Sequence, residues 1–322
     1  MRAIQIVTTG GPEVMHLAEV PAPVPGPQEA LVRVEAAGVN FIDVYFREGR
    51  YAAPLPYTLG QEGAGTVEAV GSDVESVRPG DRVAWCMLPG SYAEFCTVPA
   101  DRLVPIPAQV SAEQAAAAML QGCTAHYLAD AAYRISPGDE VLVHAGAGGS
   151  GLLLTQMAKS RGARVYTTVS TPEKAALSRA AGADHVILYT ETDFAAEVSR
   201  LTAGRGVAAV YDSVGATTFD GSLRSLRPRG TLVLFGASSG AVPPLDLMRL
   251  MTGGSLFVTR PTLKDYVATR QELLQRASEV LGMVASGDLR LRTEHTYPLA
   301  EAAQAHRDLQ SRRTTGKLLL IP

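Results

Sequence analysis

Residues 140 to 151 read Glu140-Val141-Leu142-Val143-His144-Ala145-Gly146-Ala147-Gly148-Gly149-Ser150-Gly151, an apolar strand running into a GxGxxG turn at Gly146, Gly148 and Gly151. An amphipathic helix follows from Leu152. Strand, glycine turn and helix in this order are the fingerprint of a dinucleotide fold. The glycines let the backbone approach a pyrophosphate closely, and the helix N-terminus turns its free N–H groups toward the negative charge. The pattern alone is weak, since a structural glycine turn reads the same way; its place directly between strand and helix carries the assignment.

About twenty residues on, a fold of this kind built for NAD ends its second strand with Asp or Glu to grip the ribose hydroxyls. Here that strand, residues 164–169, runs into Ser170-Thr171-Pro172-Glu173-Lys174, and no acid stands at its end. Thr171 reads as an N-cap and Pro172 as the first helical residue, which puts Lys174 in the first turn, where the helix dipole disfavours a cation. A nearby phosphate offsets that penalty. The sequence therefore points to NADPH, with Ser170 and Lys174 facing the 2′-phosphate; the alternatives are a solvated lysine and, through Glu173, NADH.

With 322 residues, 46% of them hydrophobic, the chain can bury two ordinary cores, and two domains are expected. Net charge is −3 and Lys and Arg are scattered, so no nucleic-acid footprint and no polybasic membrane patch is visible. Small molecules are the expected partners. Cys86, Cys96 and Cys123 form no CxxC pair, which suits thiols packing in a reducing cytosol. The N-terminus reads as a strand without a signal-type apolar region, and no window approaches eighteen unbroken apolar residues. A soluble, cytoplasmic protein is expected.

Residues 1–122 carry short strands punctuated by Pro and Gly, at 30–36, 63–70, 81–85 and 92–98, and a helix is expected over 112–132. Alternating units follow: strands at 140–144, 164–169, 185–188, 207–211 and 230–235, with helices at 152–161, 172–181, 194–202 and 217–226. Strict alternation of this kind means a parallel sheet with helices on both faces. After a strand at 255–258 and a break at Arg260-Pro261, a long helix over about 263–285 leads to 289–297, and a strand at 317–321 closes the chain. This last part lacks further alternation, so it is expected to rejoin the first domain.

Several stretches carry a resemblance: Gly38-Val39-Asn40-Phe41-Ile42-Asp43-Val44-Tyr45, Leu59-Gly60-Gln61-Glu62-Gly63-Ala64-Gly65, Tyr211-Asp212-Ser213-Val214-Gly215, Phe235-Gly236-Ala237-Ser238-Ser239-Gly240, Val258-Thr259-Arg260-Pro261 and Leu318-Leu319-Leu320-Ile321-Pro322. Over essentially its whole length the chain resembles the bacterial, zinc-independent NADPH:quinone oxidoreductases of the medium-chain dehydrogenase/reductase superfamily. The resemblance implies an α/β protein, with a GroES-like β-rich catalytic domain over 1–122 plus 265–322 and a Rossmann doubly wound parallel-sheet domain over 123–264. It also implies NADPH between the domains and a homodimer formed by edge pairing of the strand at 255–258. Zinc alcohol dehydrogenases of the superfamily hold catalytic zinc with a cysteine where Asn40 stands and a histidine where Gln61 stands; neither ligand is present, and no metal site is expected. His16, His126, His144, His185, His295 and His306 show no ligand spacing with the cysteines and read as ordinary core or surface residues. Alcohol oxidation needs a Lewis acid, whereas a quinone is already electron-poor, so losing the ligands fits a quinone acceptor.

Site roles follow from the same resemblance. Asn40, Tyr45 and Tyr51 are expected to position the substrate, with Tyr45 either a donor to a quinone oxygen or a packing aromatic, and Phe41 lies beside them near the cofactor. Thr124 matches a helix-start position near the nicotinamide, with a plain helix cap as the alternative. Tyr189 matches a residue beside the adenosine phosphate, and Arg312 an arginine reaching the 2′-phosphate, although Arg313 stands next to it. The cofactor set also includes Gly146, Gly148, Gly149, Ser150, Gly151 and Ser213. Phe235, Gly236, Ser238, Val258 and Arg260 are expected at strand ends flanking the nicotinamide, where backbone groups hold its carboxamide. Gly316-Lys317 lacks the upstream spacing of a Walker A loop, and no GxSxG elbow is present. Two rival functions stand beside NADPH-dependent quinone reduction: an enoyl or alkenal double-bond reductase, and a nucleotide-binding structural or RNA-binding protein with little turnover.

Overall fold

The computed structural model describes residues 1–322, which divide into two compact units: Met1–Cys123 with Tyr266–Pro322, and Thr124–Asp265. The first unit begins with β1 (Arg2–Ile6), β2 (His16–Glu19) and β3 (Glu29–Val39), followed by α1 (Phe41–Arg47), β4 (Tyr57–Thr58), β5 (Glu62–Val70), β6 (Arg82–Cys86), β7 (Phe95–Pro99), β8 (Val104–Pro105) and α2 (Ala112–Tyr127). The second holds β9 (Glu140–Val143), α3 (Gly149–Ser160), β10 (Arg164–Val169), α4 (Pro172–Ala180), β11 (His185–Leu188), α5 (Phe194–Leu201), β12 (Val207–Asp212), α6 (Phe219–Arg224), β13 (Leu226–Leu234), α7 (Met248–Thr252) and β14 (Phe257–Thr259). The chain then runs through α8 (Leu263–Tyr266), α9 (Arg270–Ser286), β15 (His295–Pro298), α10 (Ala302–Gln310) and β16 (Leu318–Ile321).

In the second unit the sheet order is β11-β10-β9-β12-β13-β14, and every pairing is parallel. All six residues of β12 are buried, as expected for a strand covered by helices on both faces. This is the doubly wound order, reversing between β9 and β12, so the glycine turn after β9 lies at the switch point where such sheets bind ligands.

The first unit is built on β3, whose Ala30, Val32, Val34 and Ala36 alternate into the core before Ala37, Gly38 and Val39 are buried in succession. That change coincides with a new neighbour. The C-terminal strand β16 pairs antiparallel with β3 at Val39, Gly38 and Ala37, while β5 and β7 also run antiparallel to β3. Trp85, Tyr92, Leu318 and Leu320 join Ile4, Ile6 and Val32 in the core, each large apolar side chain contributing about 1.5–3 kcal/mol on burial.

Two helical expectations need correction. The long helix over 263–285 is broken between α8 and α9, because Thr269 accepts a hydrogen bond from the Glu272 N–H while the Glu272 carboxylate accepts from the Thr269 N–H, a capping box that starts a new helix. Helices α1 and α10 were not foreseen, and both carry buried polar groups. Arg47 of α1 donates to His306 Nδ1 of α10 at 2.9 Å, and His306 Nε2 lies 3.2 Å from the Tyr92 hydroxyl. Tyr92 donates in turn to Asp43 Oδ2 at 3.2 Å, and Asp43 Oδ2 accepts the Asn40 N–H at 2.8 Å. A guanidinium can only donate, so Nδ1 accepts, Nε2 carries the proton and donates to the Tyr92 oxygen, and the Tyr92 hydroxyl donates its hydrogen bond to Asp43. Burial holds His306 neutral, at about 3.

Burial also pushes Asp43 up to about 7, opposed by the hydrogen bond from the Asn40 backbone. An unfolded aspartate titrates near ~3.9, so the native state keeps a proton the unfolded chain has shed; the resulting stability is complete below that value and is lost as pH rises through about 7. Asp43→Asn keeps an oxygen for both hydrogen bonds and removes the charge. Urea unfolding at pH 5 and pH 8 should show a pH-dependent loss in the variant smaller than in the parent by about 1–3 kcal/mol; an equal loss in both proteins would contradict the assignment.

Candidate active site

The glycine turn is assembled by backbone bonds to the neighbouring strand. The Gly146 N–H donates to the Thr168 carbonyl at 3.0 Å, Ala145 takes a left-handed φ of 52°, and α3 starts at Gly149 with Gly148 as its N-cap. A Cβ on Gly151 would lie 2.2 Å from the Ala145 carbonyl oxygen, so the helix seats on the turn only because residue 151 has no side chain. The N–H groups of Gly149, Ser150 and Gly151 belong to the first turn of α3, whose donors have no carbonyl four residues back. A backbone cradle with donors and no side-chain bulk fits a pyrophosphate.

Next to it, β10 ends at Val169, and Thr171 caps α4 by accepting the Lys174 N–H at 3.3 Å. Pro172 is the first helical residue, as the sequence indicates, and Lys174 the third. Ser170 and Lys174 are half-buried. The Tyr189 N–H donates to the Val169 carbonyl at 3.1 Å and its ring is exposed, so Ser170, Lys174 and Tyr189 share the carboxyl ends of β10 and β11.

At the far strands the backbone expectation changes. The N–H groups of Phe235 and Gly236 donate to the Asp212 carbonyl at 2.9 and 3.3 Å, and that of Ser238 donates to the Ser213 carbonyl at 3.3 Å. Those three donors are engaged inside the protein, so the backbone N–H groups expected to hold a carboxamide here are already spent. Arg260 follows β14, which contains Val258, and its guanidinium donates to the Leu234 carbonyl at 3.1 Å, tying the ends of β13 and β14 together. Thr124 is buried within α2, twelve residues past the first, and not at a helix start; the alanine-rich run simply continues through Gly122 and Cys123. The capping alternative for Thr124 falls for the same reason.

In the first unit, Asn40 is the N-cap residue of α1 and only 4% exposed. Its Nδ2 donates to Gly38 O at 3.2 Å and to Glu62 Oε2 at 2.9 Å, while its Oδ1 accepts from Gln121 Nε2 at 3.2 Å and from Lys317 Nζ at 2.8 Å. An amide has two donor hydrogens and two acceptor lone pairs, and all four are used. A direct bond from the Asn40 side chain to a substrate would require breaking one of these. Lys317 also pairs with Glu62, both fully buried, and Glu62 Oε1 accepts the Leu120 N–H. A Cβ on Gly38 would lie 2.1 Å from Glu62 Oε2 and 2.7 Å from Lys317 Nζ, so glycine makes room for the pair. Gln61 is buried and donates to the Tyr57 hydroxyl at 2.7 Å. No group of three or more His, Cys, Asp or Glu side chains has a metal-binding arrangement.

Tyr45 lies in α1 with its ring buried, 5.5 Å from the Tyr51 ring edge-on and 6.5 Å from that of Phe41, and the Arg50 guanidinium stands 5.4 Å over it. Tyr51 is 40% exposed. Arg312, just beyond α10, is exposed and has a left-handed φ of 61°. The sequence reading missed Glu62, Gln121 and Lys317. A usable signal exists for two of them: Glu62 is a lone charge in a run of small residues, and Lys317 is a lone charge leading an apolar strand.

Two family models match, a GroES-like alcohol dehydrogenase domain over residues 26–108 and a zinc-binding dehydrogenase over residues 149–279. The quinone oxidoreductase of Pseudomonas aeruginosa is 46% identical over 100% of this chain and 99% of its own length. A crystal structure of the Escherichia coli quinone oxidoreductase complexed with NADPH superposes with a TM-score of 0.98 at 43% identity, covering 100% of both chains. A 2-haloacrylate reductase of Burkholderia is 40% identical over 97% of this chain and 96% of its own. Together with the doubly wound sheet and the amides at residues 40 and 61, these likenesses make the chain a member of the quinone oxidoreductase family, within the medium-chain dehydrogenase/reductase superfamily.

Proposed function

We propose that this protein is a metal-independent quinone reductase that uses NADPH. The observation that carries the reading is at Asn40 and Gln61, where zinc-dependent members of the superfamily place a thiolate and an imidazole. Here both positions hold buried amides already bonded within the protein. NADPH, when bound, supplies the reducing equivalents. The first turn of α3 holds the pyrophosphate, and Ser170 and Lys174 hold the 2′-phosphate. Tyr51 offers an aromatic face to a flat acceptor, and Tyr45, held by its neighbours Phe41 and Arg50, stands edge-on to Tyr51. Catalysis of this kind rests on orientation and on keeping water from the transfer path.

Reduction of an activated carbon–carbon double bond is the second reading, favoured by the likeness to the 2-haloacrylate reductase. The assembly we propose is a homodimer joined along β14, an edge strand with one free side whose Phe257 is exposed; Leu247, Met248 and Met251 at α7 are exposed as well. No helix is long and apolar enough to cross a membrane, and we assign the protein to the cytoplasm on its unpaired cysteine pattern.

Lys174→Ala should raise KM for NADPH by about 10-fold and leave KM for NADH nearly unchanged. Arg312→Ala, assayed separately, tests the same role for that guanidinium, and equal losses with both nucleotides would remove either assignment. With NADPH saturating, kcat/KM for a benzoquinone should exceed that for an enone; the reverse order selects the double-bond reductase. Light scattering should give twice the chain mass, and Phe257→Asp should shift it toward the monomer.

A further inference from the structure

The six histidines read from the sequence as ordinary core or surface residues, yet one of them joins the strand ends that carry the dinucleotide motif. His144 directly follows β9, stands two residues before Gly146 and is 1% exposed. Its Nδ1 lies 2.8 Å from Thr168 Oγ1 on β10, and its Nε2 lies 3.0 Å from Ser222 Oγ on α6. Ser222 donates to Asp212 Oδ2 at 2.8 Å, at the end of β12. The ring also meets Phe194 edge-on at 4.8 Å.

The directions of these bonds are determined. The Asp212 carboxylate faces donors only: Oδ1 accepts from the Val214 N–H at 2.8 Å, the Gly215 N–H at 3.0 Å and the Thr218 hydroxyl at 2.9 Å. Ser222 therefore spends its one proton on Asp212 and receives the Nε2–H of His144. Burial lowers the proton affinity of His144, opposed by the Asp212 carboxylate, and in the resulting neutral ring Nδ1 is left as an acceptor for the Thr168 hydroxyl. The backbone adds bonds across the same ends: His144 N–H to Tyr211 O at 3.0 Å, Gly146 N–H to Thr168 O at 3.0 Å, and Phe235 N–H to Asp212 O at 2.9 Å. Three adjacent strands, in the order β10-β9-β12, thus converge on one ring and one carboxylate, and β13 joins them through the Asp212 backbone carbonyl.

We propose that His144 is a positioning residue for the dinucleotide, holding the Gly146–Gly151 turn and the Asp212–Gly215 turn at a fixed spacing through its two hydrogen bonds. The inference rests on the NADPH reading. It acts on the part of the cofactor that NADPH and NADH share, so both should respond alike, in contrast to Lys174.

The test measures NADPH dissociation by titrating reduced-nicotinamide fluorescence, with kcat at saturating NADPH alongside. His144→Phe keeps a ring against Phe194 and loses both polar bonds; His144→Gln keeps a donor and an acceptor and loses the ring. Positioning by hydrogen bonds predicts about a 10-fold weaker Kd for H144F, about 3-fold or less for H144Q, and kcat within about 3-fold for both. Thr168→Val, nearly isosteric, should weaken Kd by about 3- to 10-fold and carries the test if H144F does not fold. Kd values for H144F, or for T168V in its place, within about 2-fold of the parent overturn the proposal. So does H144Q binding worse than H144F, which is the order that ring packing alone would produce. Failure of the parent protein to bind NADPH would instead overturn the cofactor reading.

Discussion

An ammonium taken out of water must meet a carboxylate and enough further partners to use its hydrogens, or the fold pays several kcal/mol for it. Lys317 and Glu62 satisfy that requirement inside the first unit, and much of its architecture is arranged around them. Lys317 leads the C-terminal strand, Glu62 opens β5, Asn40 caps α1 and Gln121 lies in α2. Elements separated by more than 250 positions in sequence are thereby brought to one point. Asn40 is gripped on all four of its hydrogen-bonding positions, which fixes the start of α1 and with it the placement of Phe41, Tyr45 and the facing Tyr51. Removing one member of such a set leaves a buried charge or a buried amide unpaired, so these residues depend on one another more than on their local chain.

The second unit meets a similar constraint with neutral groups. Its strands end in a row, and the peptide groups there must serve both the sheet and a polyanionic ligand. His144, Ser222, Asp212 and Thr168 resolve this with a chain of bonds of defined direction, leaving the N–H groups of the first turn of α3 unspent by the strand ends. The same economy explains Phe235, Gly236 and Ser238, whose donors stabilise the Asp212 turn and are not available to a nicotinamide. Polar groups of this kind contribute modestly when paired and cost about 1–3 kcal/mol when stranded, which favours complete networks over partial ones.

Legibility followed the range of the interactions involved. The glycine turn, the Thr171-Pro172 helix start and the alternation of β9 to β13 with their helices depend on contacts within a few residues, and each was readable in sequence. Helices α1 and α10 were not: α1 has only seven residues between the end of β3 and a turn-rich stretch, and α10 is marked mainly by buried Ala302, Ala305 and His306, a narrow stripe. The break between α8 and α9 was in fact written locally, in Thr269 and Glu272, and was passed over because apolar periodicity continues on both sides.

From the sequence alone came the dinucleotide turn and the acid-free end of the second strand, because each is a matter of residue type at a short, fixed spacing; the amides at residues 40 and 61 took their meaning from the family resemblance. Tertiary structure decided what those residues are bonded to. Whether the Asn40 amide is free or saturated depends on Lys317, Glu62 and Gln121, and whether His144 is filler or a joint depends on Thr168, Ser222 and Asp212. Hydrogen bonds act over about 3 Å, and no spacing along a chain reports which distant side chains will arrive within that distance.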